Sequence, residues 1–308
     1  MIIDSHAHIF EHLSGMGARG EVRAIGGGRI RFLDGQEMQV IPEYMGGTGF
    51  FAEQLLEQME KAHIDRAVLL HGLLYGLQND YIYECVRKYP DKFKGSGSFD
   101  PCIDQAEMVL DRLIHHYGYR ILKFELSSGA GMAGLHPNLK IDGEEFEYIY
   151  GVAEQYGVTI VFDIGSRGMK SFQVEELVRA AGRHPGVKFT LCHLMAPNGM
   201  DFEAWCGDMK SLASRENIWF DLTAVPWNVH EAYPYPASLR YVAEAVKLVG
   251  TERLLWGSDV PTLLNMDSYE NLYRYLIDGA ICPPSGLDDL FYKTSEIVYG
   301  KWEKESSL

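Results

Sequence analysis

Met1-Ile2-Ile3-Asp4-Ser5-His6-Ala7-His8-Ile9-Phe10-Glu11-His12 opens the chain, and the residues that end its first apolar run decide the fold. Ile2 to His8 reads as a strand, with Asp4, His6 and His8 on one face because side chains alternate along an extended backbone. A doubly wound nucleotide-binding sheet would place a glycine-rich phosphate loop directly after this strand. Here the strand runs into His6-Ala7-His8 instead, so that fold lacks its defining turn.

Working outward, apolar residues at helical spacing (Phe51, Leu55, Leu56, Met59) precede a buried strand over 65–71. The alternation then repeats. Helices are expected near 80–89, 105–116, 144–156, 174–183, 202–213 and 238–249. Strands are expected at 93–99, 119–126, 158–164, 188–194, 218–225 and 253–258. With the first, these make eight strands. Repeated strand–helix units imply a parallel sheet, and eight of them imply closure into a single (β/α)₈ TIM barrel spanning 1–308. Residues 11–49 break the rhythm with ten glycines and no clear helix. They are expected to form a long inserted loop after strand one, a lid or a surface excursion with a small hairpin at Arg29–Phe32 and Met38–Ile41.

Composition narrows the function. The formal charge is −15, from 28 basic and 43 acidic residues spread along the chain. Such a surface repels phosphate backbones and anionic lipid, so neither nucleic acid nor membrane is an expected partner. Five cysteines, with no C-x-x-C pair, suggest reduced thiols. No leader or spanning segment is legible at the start, so a soluble, cytoplasmic protein acting on a small molecule is expected.

Barrel enzymes place their chemistry at the C-terminal ends of strands. His6 and His8 stand there about 6–7 Å apart along the strand, close enough to hold one metal ion from two sides. Other polar residues at strand ends are His71, Glu125, Asp163, His193, Asp221 and Asp259. Asp259 ends the apolar run Leu254-Leu255-Trp256-Gly257-Ser258, where a carboxylate needs a partner such as a metal or its water.

Asp4-Ser5-His6-Ala7-His8, Cys192-His193-Leu194 and Trp256-Gly257-Ser258-Asp259-Val260-Pro261 together resemble the amidohydrolase-related family. This is the branch that includes aminocarboxymuconate-semialdehyde decarboxylase, resorcylate decarboxylases and several lactonases. Phe99-Asp100-Pro101 and the strand-four Lys123 also fit its usual pattern. The resemblance implies that His6 and His8 are metal ligands, that Asp259 is a ligand that also handles the proton of the attacking water, and that His193 is an acid/base. The family's remaining ligand is a histidine ending strand five, where this chain has Asp163. Two imidazoles and two carboxylates would cancel a divalent charge, acidify water less, and shift preference from Zn²⁺ toward Mn²⁺. Alternatively, Asp163 is an ion-pair partner of Arg167 or Lys123.

Four further residues are substrate-binding candidates with a structural reading beside each. His71 touches substrate or is a satisfied barrel histidine. Lys123 meets a substrate carboxylate or pairs with Glu125 or Asp163. Arg167 meets an anionic substrate or caps a helix, and Trp227 walls a pocket or packs on the next helix. The expected function is a metal-dependent hydrolase with one divalent ion, Zn²⁺ or Mn²⁺, whose bound water attacks a lactone or amide-like carbonyl. The alternatives are a non-oxidative decarboxylase of an aromatic or unsaturated acid, and a non-catalytic ligand-binding barrel without metal. Family members often pair, so the resemblance admits a homodimer.

Overall fold

A computed structural model describes residues 1–199 and 201–302. Of the short polar stretch 301–308, residues 303–308 lie outside the described residues. Eight strands form the centre: β1 (Ile3–Ala7), β2 (Arg66–Leu69), β3 (Phe93–Gly95), β4 (Ile121–Glu125), β5 (Thr159–Asp163), β6 (Lys188–Leu191), β7 (Ile218–Asp221) and β8 (Leu254–Leu255). Every ladder between neighbours is parallel, in one sheet of three strands and another of five. Two seams join them into a ring. At β3–β4, Gly97 bridges Leu122, its N–H donating to Ile121 at 2.9 Å. At β8–β1, Ala7 bridges Val260, the His8 N–H donates to Val260 at 2.9 Å and the Asp259 N–H donates to His6 at 2.8 Å. The barrel is thus closed by backbone hydrogen bonds, and the second seam lies at His6, His8 and Asp259.

Strands such as Ile121-Leu122-Lys123-Phe124-Glu125 are covered on both sides, as parallel strands must be when helices cap one face and the barrel fills the other. Alternation divides the interior by height. Ile121 and Val161 lie low in the barrel with Ile3, Val68 and Leu255, plugged from below by Val298, Tyr299 and Trp302. Two residues further along the same faces, the side chains turn polar: Lys123, Glu125 and Asp163. Outside, the helices Ala52–Lys61, Asn79–Lys88, Glu144–Tyr156, Val174–Arg183, Phe202–Ala213 and Pro236–Val249 return the chain between strands. The helix expected over 105–116 is α-helical at Ala106–Asp111 and widens into a π-turn at Arg112–His116. No helix among the described residues is long and apolar enough to cross a membrane.

The insertion corrects one expectation. Instead of a loop with a single hairpin, it is a four-stranded antiparallel sheet of Met16–Gly17, Gly20–Gly26, Arg29–Phe32 and Glu37–Gln39. The expected hairpin is there, with Ile30 opposite Met38. The turn between the second and third of these strands runs through Gly26, Gly27 and Gly28 at φ of 86°, 59° and 73°, a left-handed run that residues with a Cβ resist. Buried Ile30, Val40 and Ile41 anchor the sheet on the barrel, and it delivers Met38 to the barrel mouth.

Candidate active site

Each imidazole of β1 is oriented by what its Nδ1 touches. The His6 Nδ1–H donates to Asp221 Oδ2 at the end of β7, 2.8 Å away, with both side chains fully buried. Burial pushes His6 down to about 4 even beside that carboxylate, so the ring is neutral and its Nε2 carries a lone pair. That Nε2 is buried and finds no hydrogen-bond partner. His8 Nδ1 lies 2.8 Å from the Leu70 carbonyl, which only accepts, so this nitrogen must hold a proton. The other nitrogen, Nε2, lies 2.9 Å from Asp259 Oδ1. With neutral His8, a lone pair would face a carboxylate oxygen, so this contact needs either a second proton or a cation between the two atoms.

His6, His8 and Asp259 each offer a ligand atom within 4.8 Å of the others'. Two imidazole nitrogens and a carboxylate oxygen suit Zn²⁺ or a similar divalent ion, and carboxylate or carbonyl partners on the far nitrogens are what such ligands use. The orphaned Nε2 of His6 and the Nε2–carboxylate contact of His8 both fit such an ion.

Asp4 does not join this group, because the β1 ladder is irregular between Asp4 and Ala7 and alternation does not carry through from Asp4 to His6. Its carboxylate accepts from the Ser258 N–H at 2.9 Å, the Ser258 hydroxyl at 2.5 Å, the His6 N–H at 3.0 Å and the Tyr269 hydroxyl. It therefore ties β1 to the segment after β8 and aligns His6 with Asp259.

His193 sits just after β6 in a run of four left-handed residues, His193 to Ala196, with φ between 43° and 62°. Asp259 and Ala224 have φ of 64° and 56°. Such conformations cost about 1–3 kcal/mol each and persist where surrounding structure enforces them. Asp221 does so here: its Oδ1 accepts from the His193 N–H at 2.6 Å and the Thr223 N–H at 3.2 Å while Oδ2 holds His6. One buried carboxylate thus positions two histidines.

Asp163 faces His193, Oδ2 to Nε2 at 3.6 Å, and its Oδ1 accepts from the Gly165 N–H at 2.8 Å. Burial would lower His193, but the hydrogen bond and charge of Asp163, with Asp259 and Asp221 behind it, hold it up at about 9. Burial likewise opposes ionisation of Asp163 and Asp259, yet the facing histidines keep both carboxyls well below the usual range. Among the described residues, Asp163 falls outside the compact ligand groups at the barrel mouth, His6 with His8 and Asp259, and His6 with His193 and Asp221; a third group, Asp100, Cys102 and His136, does not include it either. A carboxylate beside an imidazole it can charge pairs with that imidazole, and neither Arg167 nor Lys123 takes it.

Above these groups opens a cavity of about 150 Å³ whose lining includes Lys123, Glu125, Tyr75, Trp227 and Met38. Trp227, on the short helix Val225–Val229, reaches this wall. Arg167 does not reach the cavity: its guanidinium grips Asp208 at 3.0 and 2.8 Å on the outside of the barrel. The expectation that it meets substrate is corrected by this nearer carboxylate, which takes both arms of the guanidinium. His71 also stops short of the cavity lining. It is buried, shares a 3.2 Å hydrogen bond with Ser96, and burial with Lys123 nearby pushes it down to about 3.

Sequence reasoning assigned no role to Asp221 or Tyr75. Tyr75 stacks on Phe10 at 4.7 Å, leans on His8 at 4.8 Å and shares a 2.9 Å hydrogen bond with Thr262. Asp221 carried a usable signal, a carboxylate ending an apolar strand; Tyr75, in a loop, carried none.

The sequence profile of the family described as Amidohydrolase matches residues 3–301, and the chain belongs to that family. A 4-sulfomuconolactone hydrolase from Rhizobium radiobacter is 23% identical over 214 residues, 68% of this chain and 65% of that protein. The chain thus matches less than two thirds of that relative's length. Among solved structures, an amidohydrolase from Burkholderia multivorans with bound zinc has a TM-score of 0.69 at 16% identity, covering 97% of this chain and 99% of that one. A protein named as a probable 2-pyrone-4,6-dicarboxylic acid hydrolase from Acinetobacter baumannii has a TM-score of 0.68 at 13% identity, with the same coverages of 97% and 99%. A 5-carboxyvanillate decarboxylase from Sphingomonas paucimobilis has 0.53 at 15% identity, covering 79% and 81%. At these identities the structural likenesses establish the fold.

Proposed function

We propose that this amidohydrolase is a metal-dependent hydrolase that opens a small lactone or similarly activated polar carbonyl compound. The observation that carries the reading is the convergence of the orphaned His6 Nε2 and the His8 Nε2 on ionised Asp259 at the C-terminal end of a closed barrel. In this reading His6, His8 and Asp259 hold one divalent ion, Zn²⁺ or Mn²⁺, and Asp163 acts on His193 rather than on the ion. The ion supplies Lewis acidity toward a carbonyl oxygen and toward water.

The chain's own residues do the rest. Asp259, held as a carboxylate, accepts the proton of the water that attacks the carbonyl carbon. His193, held as an imidazolium, stands across the same space and donates a proton to the ring oxygen as the carbon–oxygen bond breaks. Passing the proton from Asp259 to His193 restores both groups. Tyr75, Trp227 and Met38 enclose the cavity and limit it to a small substrate. A relative named as a lactone hydrolase and two solved structures named as amidohydrolase and hydrolase support the same chemistry.

The likeness to a decarboxylase structure supports the second reading, protonation of an unsaturated carbon with loss of carbon dioxide. A panel of lactones and of aromatic and unsaturated acids, offered to metal-stripped protein and to protein reloaded with Zn²⁺ or Mn²⁺, separates the two. Metal-dependent acid release from a lactone, absent in Asp259→Asn, is the expected result. Carbon dioxide release without lactone opening would replace hydrolysis by decarboxylation.

A further inference from the structure

Lys123 is the group in the cavity that the mechanism leaves unused. It is 2% exposed and lines the cavity. Among the described residues no carboxylate oxygen comes within 4.0 Å of its ammonium, and no hydrogen bond reaches it. The neighbouring carboxylates are each engaged elsewhere. Glu125, on the same face of β4, turns its Oε2 to the Leu73 N–H at 2.6 Å. Asp163 is held by His193 and Gly165, and Asp259 by His8. Burial works against the charge on Lys123, while the carboxylates of Asp163 and Asp259, with Glu125 beside them, favour it without touching the ammonium. The thiol of Cys192 is pushed well above its ordinary range, chiefly by burial, and offers no counter-charge.

A buried, charged ammonium facing a cavity without a partner is costly unless a ligand supplies the partner. The lining contains no arginine, and its other cation, His193, faces Asp163. Apart from the ion proposed at His6, His8 and Asp259, Lys123 is therefore the one side chain of the lining left to meet an anion, inside a chain whose overall charge of −15 disfavours a second anion. We propose that Lys123 anchors a single carboxylate on the substrate, so that the site selects monoanionic ring compounds over uncharged and dianionic ones. For a lactone acid as the substrate class, this rests on the hydrolase reading above; the anion preference itself does not.

The test separates the two by using ligands that cannot react. Binding of cyclopentanecarboxylate, its methyl ester and a cyclopentane dicarboxylate to metal-loaded protein is measured by calorimetry, for wild type, Lys123→Met and Lys123→Gln. A lost charge-assisted hydrogen bond changes affinity by about ten- to a hundredfold. Wild type is expected to prefer the carboxylate to its ester by that factor and to gain nothing from the second carboxylate. In either variant the preference disappears while the ester binds as before; the glutamine variant serves if the methionine variant does not fold. Equal binding of acid and ester by wild type, or a preference that survives in a folded variant, overturns the proposal. The expected preference in a protein that opens no lactone would leave the anchor standing and remove the hydrolase reading.

Discussion

Asp221→Asn changes one atom and, on this structure, reverses one histidine. Asp221 Oδ1 accepts from the N–H groups of His193 and Thr223, at 2.6 and 3.2 Å, so the asparagine must keep its oxygen there or leave two donors unpaired. Its amide nitrogen then faces His6 Nδ1, which is 2.8 Å from the present Oδ2. An N–H pointing at Nδ1 requires a lone pair there, so the proton of His6 moves to Nε2, the atom proposed to face the ion. Loss of such an outer partner weakens metal binding by about ten- to a hundredfold, or about 1.4–2.8 kcal/mol. The three hydrogen bonds lose their charge but not their geometry, a cost of about 1–3 kcal/mol in stability. Competition with a chromophoric chelator for Zn²⁺ measures the first quantity, and thermal unfolding of metal-free protein the second. A folded variant that binds Zn²⁺ as tightly as wild type would refute the argument that Asp221 sets the His6 tautomer.

Two further outcomes rest on the same geometry. Asp163 helps raise His193 from 6.5 to about 9, so activity that needs the imidazolium falls as pH rises through about 9. The same shift stabilises the fold fully below pH 6.5 and is lost as pH rises through about 9. In Asp163→Asn both the alkaline limb of the rate and that stabilisation move to lower pH, measurable in a pH–rate profile and in unfolding at several pH values; an unmoved limb would separate His193 from the acid step. Gly257→Ala would bring a Cβ within 2.5 Å of Thr223 Oγ1 and 2.6 Å of His6 Cβ. A loss of about 1–3 kcal/mol on unfolding, with weakened metal binding, is expected; an unchanged melting temperature would contradict that packing.

The barrel was legible because its signal is repeated: each strand is a short apolar run and each helix keeps its spacing. The insertion was harder, since in Gly20–Gly26 only Val22 is buried and glycines bound a strand with little apolar surface to mark it. His6 and His8 could be singled out because two residues of one strand carry the pattern by themselves. Asp221 could not be given its role, because its partner His6 lies 215 residues away and a strand-end carboxylate does not announce what it holds. Arg167 misled for the same reason: it comes soon after β5, but Asp208, 41 residues on, captures it. Asp163 occupies the position where the family resemblance expects a ligand, and only the folded chain shows that it faces His193.

The proposed function stands on His6, His8 and Asp259 holding one divalent ion. Elemental analysis of protein purified without chelator, beside His6→Ala and Asp259→Asn variants, tests it most directly. About one equivalent of Zn²⁺ or Mn²⁺ per wild-type chain, and little in either folded variant, is the expected result. No metal in wild type after soaking with both ions, or undiminished metal in the variants, would contradict it.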